Sequence, residues 1–351
     1  MRPDAPISRV NFLRADCVRI AYSAMDAFIE RQIASFGGRR YAIPSAAALV
    51  AHKNLVHVRI RDNRLSYTLV DSPDNWREPH SMKVLAEALR MYPVKDTTLL
   101  VCMSDEYFQR ADLPTFSFAV PDGRPGLIFP NFDMHHFTVG EEAVDYDRVG
   151  QMARAYRPPA KHVAPDIYFK GKRTSAGRTY AREMLAKERA PLRVHALEDC
   201  NEPVFKAKNH KYVIDLCGWV PWSLRLKYLF LLSRAVIRVS FFDPAKGETS
   251  FFRQHFDYLF AENEDYVHLV YQLNYKKRVP AELFRKMVAD IRAAHAHFEA
   301  HPEVYAAMVE RMEAARRALT LRSTARYLSA LIDRYTEALL EPEPEPEPEP
   351  L

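Results

Sequence analysis

Two periods alternate along this chain. Short runs of apolar, often β-branched or aromatic residues read as strands, and stretches with an apolar residue every three or four positions read as helices. Residues 1–50 carry a mainly helical pattern with weak punctuation. Segments 56–60 and 65–69 flank Arg61-Asp62-Asn63-Arg64 and predict a hairpin. A helix over 79–91, a buried strand over 97–103, short strands over 115–119 and 127–129, and a helix over 145–156 follow. Arg157-Pro158-Pro159 then punctuates the chain as a hinge. A second series runs strand 166–170, helix 178–187, strands 192–196 and 212–216, helix 222–234, and strands 236–241 and 267–271. From Ala281 the pattern is helical to about Leu340, broken near Pro302 and around 319–322. No repeat at solenoid spacing is present.

Two successive α/β series followed by helices predict an α/β protein with two Rossmann-like domains facing a cleft. The boundaries fall at 1–157 and 158–318, with a C-terminal helix over 319–340. The Glu-Pro repeat over 341–351 predicts an extended, solvated tail. At 351 residues the chain is long enough for two cores.

The stretch KYVIDLCGWVPWSLRLK, 211–227, reads as a strand that feeds an anion pocket. Gly218 supplies a turn, and Pro221 suits the start of a helix, where a missing N–H costs nothing. Arg225 then falls in the first turns of that helix. A guanidinium beside unpaired backbone N–H groups suits a pyrophosphate.

Charge supports an anionic ligand. The formal net charge is +5, and the tail alone holds five glutamates (Glu341, Glu343, Glu345, Glu347, Glu349), so the remaining body stands at +10. The basic residues are scattered and no zinc-finger, RNP or helix-turn-helix signature accompanies them, which argues against nucleic acid. No apolar run approaches the ~20 residues of a membrane span, and the first residues lack the continuous apolar core of a secretory signal. The four cysteines are widely spaced, and Cys102 and Cys217 lie in apolar strands, so buried free thiols and a cytoplasmic, reducing setting are expected.

Three segments hold candidate chemistry. Asp105 lies just past the carboxyl end of the strand 97–103, the edge where ligands gather in open α/β sheets. There it reads either as a general base or, with Ser104 and Glu106, as the cap of a following helix. Residues 169–178, FKGKRTSAGR, join Gly171, Lys172, Arg173, Thr174, Ser175 and Arg178 after a strand, a set suited to phosphate oxygens or, equally, to a solvated basic loop. The order is not that of a Walker loop. In 129–137, FPNFDMHHF, Phe132, Asp133, His135 and His136 suit sugar rings and hydroxyls or a core with polar trim. No third ligand at recognisable spacing joins the histidines, so no metal is expected. Asp145-Tyr146-Asp147 is a DxD string, but helical spacing follows it, and it reads as an acidic helix N-terminus.

Taken in order, these segments resemble glycosyltransferase family 90, the group of the Rumi-type protein O-glucosyltransferases and fungal capsule xylosyltransferases. The likeness runs from about Val56 to Leu273. Met103-Ser104-Asp105-Glu106-Tyr107 is similar to the family's Arg-Asp strand end. Phe129-Pro130-Asn131-Phe132 looks like its acceptor segment, and residues 169–175 like its FRGSRTS phrase. Lys211 to Phe230 and Ser250 to His268 resemble its two C-terminal blocks. Ser104 and Ser250 depart from the family's Arg and acidic residue. The compact length and Glu-Pro tail resemble members encoded by large DNA viruses of algae, which would place the protein in the host cytoplasm.

The resemblance implies a GT-B fold and inverting, metal-independent transfer from a UDP-sugar to a glycan hydroxyl, without a cofactor. Asp105 would be the base, and Arg225, with Ser223, Arg173, Thr174 and Ser175, would hold the diphosphate. UDP-xylose is the donor favoured over UDP-glucose. A non-catalytic glycan- or nucleotide-binding protein on the same scaffold is the competing expectation.

Overall fold

The computed structural model describes residues 14–49, 54–70, 76–105, 113–139, 142–158, 164–171, 175–188, 194–197, 203–218, 220–273 and 280–342. The first half opens with α1 (Arg14–Ala34), β1 (Leu55–Arg61), β2 (Arg64–Leu69), α2 (Arg77–Met91) and β3 (Thr97–Cys102). It continues with β4 (Phe116–Ser117), β5 (Val120–Pro121), β6 (Leu127–Ile128), β7 (Phe137–Val139), β8 (Glu142–Val144) and α3 (Tyr146–Ala155). The second half holds β9 (Ala164–Lys170), α4 (Ala176–Leu185), β10 (Val194–Leu197), β11 (His210–Leu216), α5 (Leu226–Leu229), β12 (Ala235–Phe242), β13 (Phe252–Arg253) and β14 (Val267–Gln272). The helices α6 (Ala281–Ala300), α7 (Pro302–Ala318) and α8 (Leu321–Leu339) follow.

The protein is mixed α/β, with two five-stranded sheets. The first has the order β2-β1-β3-β4-β6, and β1 runs antiparallel to both its neighbours. It therefore departs from the parallel, Rossmann-like layout expected of this half. The reason is local: Asp62 and Asn63 take φ of +48° and +58°, the left-handed pair that a two-residue hairpin turn requires, and a hairpin enforces antiparallel strands. Only β3, β4 and β6 run parallel. Met82, Leu85, Ala88 and Leu89 recur at helical spacing and form the buried face of α2.

The second sheet, β10-β9-β11-β12-β14, is parallel throughout. Its central strands are apolar on both faces, as a sheet covered on both sides demands. Ile167, Phe169, Leu185, Ile214 and Val239 share a core there with Phe284, Met287 and Ile291 of α6.

One correction concerns the expected helix over 222–234. Its helical part is only α5, four residues followed by a 3-10 turn over 230–232. Residues 226–232 are buried on every side, so the segment plugs the core and has no solvent face to keep a longer amphipathic helix. Ser233 ends it in the left-handed region, at φ +54°.

The two halves share packing. β13 pairs antiparallel with β5, through Phe252–Pro121 and Arg253–Val120. One continuous core includes Phe118, Phe129 and Phe132 from the first half and Trp222, Tyr228 and Phe252 from the second. The last helix returns to the first sheet: the Tyr335 hydroxyl donates to the Thr98 carbonyl at 2.9 Å, and that of Tyr327 to the Ile128 carbonyl at 2.9 Å. Among the described residues no helix is long and apolar enough to cross a membrane.

Candidate functional site

Past the end of β9, the chain turns at Gly171, and two guanidinium groups crowd that glycine. A Cβ placed there would meet Arg225 Nη1 at 2.9 Å, Phe169 Cζ at 2.9 Å and Arg178 Nη2 at 3.1 Å. Arg178 comes from the first turn of α4, whose N-cap is Ser175; the Ser175 hydroxyl accepts from the Arg178 N–H at 3.2 Å. Arg225 comes from the residue just before α5. Both guanidinium carbons lie over the Phe169 ring, at 4.9 Å for Arg225 and 5.7 Å for Arg178, a cation–π platform under the pair.

Behind them stands Asp215, fully buried in β11. Its Oδ1 accepts from Arg225 Nη2 at 2.9 Å and from the Ser223 hydroxyl at 2.8 Å. Ser223 Oγ in turn accepts from the Arg225 backbone N–H at 3.3 Å. Ser223 thus orients the carboxylate and the arginine. Its hydroxyl is committed to the protein.

The Arg225 and Arg178 guanidinium groups both feel the Asp215 carboxylate, Arg225 through a direct ion pair. Burial, together with the neighbouring Arg225 charge, pulls Arg178 down to about 10. Two cations held side by side in a poorly solvated place are stabilised by an anion between them. Arg225 Nε and Asp215 Oδ2 are buried with no hydrogen-bond partner among the described residues. The donors gathered here are side chains, a chemistry suited to an anion. The helix N-terminus expected to help at Arg225 contributes nothing, since α5 has a single turn. Lys172, Arg173 and Thr174 lie outside the described residues.

Asp105 sits at the carboxyl end of β3, as the strand pattern predicts, and its side chain is 31% exposed. Arg77, the first residue of α2, holds its Oδ2 at 2.6 Å and donates from Nη1 to the Met103 carbonyl at 3.0 Å. A guanidinium thus stands beside the carboxylate although Ser104 precedes it in sequence. The Asp105 carbonyl accepts from Trp222 Nε1 at 2.9 Å. That bond ties the first sheet's edge to the loop carrying Ser223 and Arg225, and brings the proposed base beside the loop of the cationic cluster. Residues 106–112, where a helix capped by Asp105 would begin, lie outside the described residues.

The aromatic segment divides by depth. Phe132 is buried and packs edge-on against Phe118, with centroids 5.4 Å apart. Asp133 faces inward and meets Lys227 Nζ at 2.7 Å, both side chains being buried. Burial pushes the Asp133 carboxyl up and the Lys227 ammonium down, and each charge pulls the other part of the way back. The Tyr228 hydroxyl donates to the Asp133 carbonyl at 2.9 Å. Asp133 is therefore an internal brace. His135 is half-buried, with its ring held below the usual imidazole value by burial. His136 is exposed and stacks on His80 at 4.1 Å.

Asp145 caps α3 and accepts the Arg148 N–H at 2.7 Å, which is the helix-start reading of the DxD string. Among the described residues no three His, Cys, Asp or Glu side chains converge as a metal site would require. A serine–histidine–glutamate row also exists: Ser240 Oγ lies 2.9 Å from His268 Nε2, and His268 Nδ1 lies 3.0 Å from Glu262. Ser240 has no exposed surface, so the row links β12 to β14 and offers no accessible nucleophile.

Sequence patterning missed Arg77, Asp215, Trp222 and Lys227. Asp215 had a signal: an ionisable residue inside an apolar strand run needs a buried partner. Neither a protein-family model nor a curated protein matches this chain.

Proposed function

We propose that this protein is an inverting, metal-independent glycosyltransferase of GT-B type. It moves a sugar, foremost xylose from UDP-xylose, onto a hydroxyl of a glycan acceptor. The observation that carries the reading is the pair Arg178 and Arg225, gathered at Gly171 over Phe169 and linked through the Trp222 loop to Asp105.

In this reading the diphosphate of the donor lies against the two guanidinium groups, which take up charge as the leaving group forms. Asp105 accepts the proton of the acceptor hydroxyl as its oxygen attacks the anomeric carbon. The new glycosidic bond forms from the face opposite the diphosphate. The bond between the anomeric carbon and the diphosphate oxygen breaks, its electron pair leaves with UDP, and configuration inverts. Arg77 holds the Asp105 carboxylate in place through Oδ2. The buried thiols of Cys102 and Cys217 fit a reducing compartment.

The test is release of UDP from a panel of UDP-sugars with EDTA present, with and without acceptor glycans. UDP-xylose is expected to turn over fastest, and UDP-glucose is the arm that would reassign the donor. Asp105→Asn should lower transfer by at least about a hundredfold while leaving calorimetric UDP affinity near wild type. Equal transfer by the variant would remove Asp105 from the mechanism. Failure of every UDP-sugar to bind would overturn the reading as a whole.

A further inference from the structure

Among the described residues the exposed large hydrophobic side chains are Tyr67, Trp76 and Val304, and two of the three flank the start of α2. Trp76 immediately precedes that helix and is 59% exposed. The Tyr67 hydroxyl hydrogen-bonds Glu78 in its first turn. An indole left in water forgoes the burial that most tryptophans obtain. This one nevertheless has ring neighbours. Phe132 meets it edge-on at 4.9 Å, the Arg77 guanidinium lies 5.4 Å from its ring, and the His80 ring stands 6.4 Å away.

The position gives the exposure meaning. Arg77, the next residue, holds the Asp105 carboxylate at 2.6 Å. The stacked imidazoles of His80 and His136, 4.1 Å apart, lie beyond the indole. An aromatic face next to a carboxylate, with the ring nitrogens of two histidines nearby, matches a pyranose. One face of such a ring presents polarised C–H groups to the negative face of an aromatic, and its rim presents hydroxyls. Burial, His136 and Lys83 hold His80 below the usual imidazole value, so the His80 ring offers hydrogen bonds more than charge.

We propose that Trp76 is the acceptor platform of this protein: a neutral pyranose stacks on its indole and directs a hydroxyl at Asp105. The inference rests on the transferase reading for the role of Asp105, but saccharide binding at Trp76 is measured without any donor.

The experiment titrates the full-length protein with methyl pyranosides of xylose, glucose, galactose, mannose and fucose, following tryptophan emission and, independently of the indole, calorimetric heat. At least one is expected to shift the wild-type spectrum saturably. By calorimetry Trp76→Ala should abolish saccharide binding, Trp76→Phe should retain weaker binding, and both should keep wild-type melting temperature and calorimetric UDP affinity. In the transfer assay Trp76→Ala should raise the acceptor KM about tenfold, from loss of one aromatic contact, with donor KM unchanged. A wild-type spectrum that no pyranoside moves, calorimetric saccharide binding that survives Trp76→Ala, or an equal loss of UDP affinity would each overturn the platform. Saccharide binding at Trp76 without turnover of any UDP-sugar would instead leave the platform standing and remove the transferase reading.

Discussion

Gly171→Ala is the sharpest test of the two-arginine cradle, because it changes neither charge nor any hydrogen-bonding side chain. The added Cβ would sit 2.9 Å from Arg225 Nη1 and Phe169 Cζ, about 0.5 Å inside the 3.4 Å edge of ordinary contact. Phe169 is fully buried and has nowhere to go. The two guanidinium groups are the ends of long side chains and can swing away. The fold should therefore survive at a cost of about 1–3 kcal/mol, the usual range for one excess methyl in a packed place. Ligand binding should suffer more selectively. Charge-assisted hydrogen bonds contribute about 1.5–3 kcal/mol each, so displacing the donors should weaken UDP by roughly 10- to 100-fold. Calorimetry with UDP and UMP, at one fixed low salt concentration, separates the effects. The variant should lose affinity for UDP and narrow the ratio between the two nucleotides, since in the proposed function the arginines hold the β-phosphate. A folded Gly171→Ala protein with wild-type UDP affinity would refute the reasoning.

Two further predictions concern stability. Lys227→Met strands the Asp133 carboxylate in the core, which should cost about 3–5 kcal/mol in urea unfolding, and pairing it with Asp133→Leu should recover much of that loss; an unchanged single variant would deny the brace. His255 is buried, and burial together with the Lys227 charge holds its ring well below the usual imidazole value. The unfolded chain therefore binds the extra proton first, and the stability present above pH ~6.5 falls by about 1.4 kcal/mol per pH unit on acidification. His255→Gln should flatten that part of the profile between pH 6.5 and 5, and parallel curves for the two proteins would contradict the assignment.

What could be read from the residues was what local chemistry decides. The β1–β2 hairpin follows from two turn residues, and the start of α3 from one aspartate that caps it. The parallel strands β11 and β12 follow from continuous apolar runs. The segment after Pro221 misled because Leu224, Tyr228, Leu231 and Leu232 keep helical spacing while residues 226–232 are buried throughout, and periodicity cannot distinguish one apolar face from two. The pairings that build the candidate site were hidden for a different reason. Arg77 lies 28 positions from Asp105, Asp133 lies 94 from Lys227, and Trp222 lies 117 from Asp105. No local rule connects such partners. Asp105 was placed correctly at its strand end, but the arginine that holds it comes from another element.

The return of α8 to the first sheet has a consequence for how this protein is made. Tyr335 and Thr98 are 237 positions apart, and the Tyr41 N–H donates to the Leu339 carbonyl of the same helix at 2.8 Å. A ribosome releasing the chain from its start delivers β1, α2 and β3 long before the helix that covers them. During that interval the apolar side facing Tyr327, Leu331 and Tyr335 stands bare. Contacts at such separation close late and slowly. The nascent first half therefore keeps this apolar side open to water, and to unwanted association, until α8 has been made.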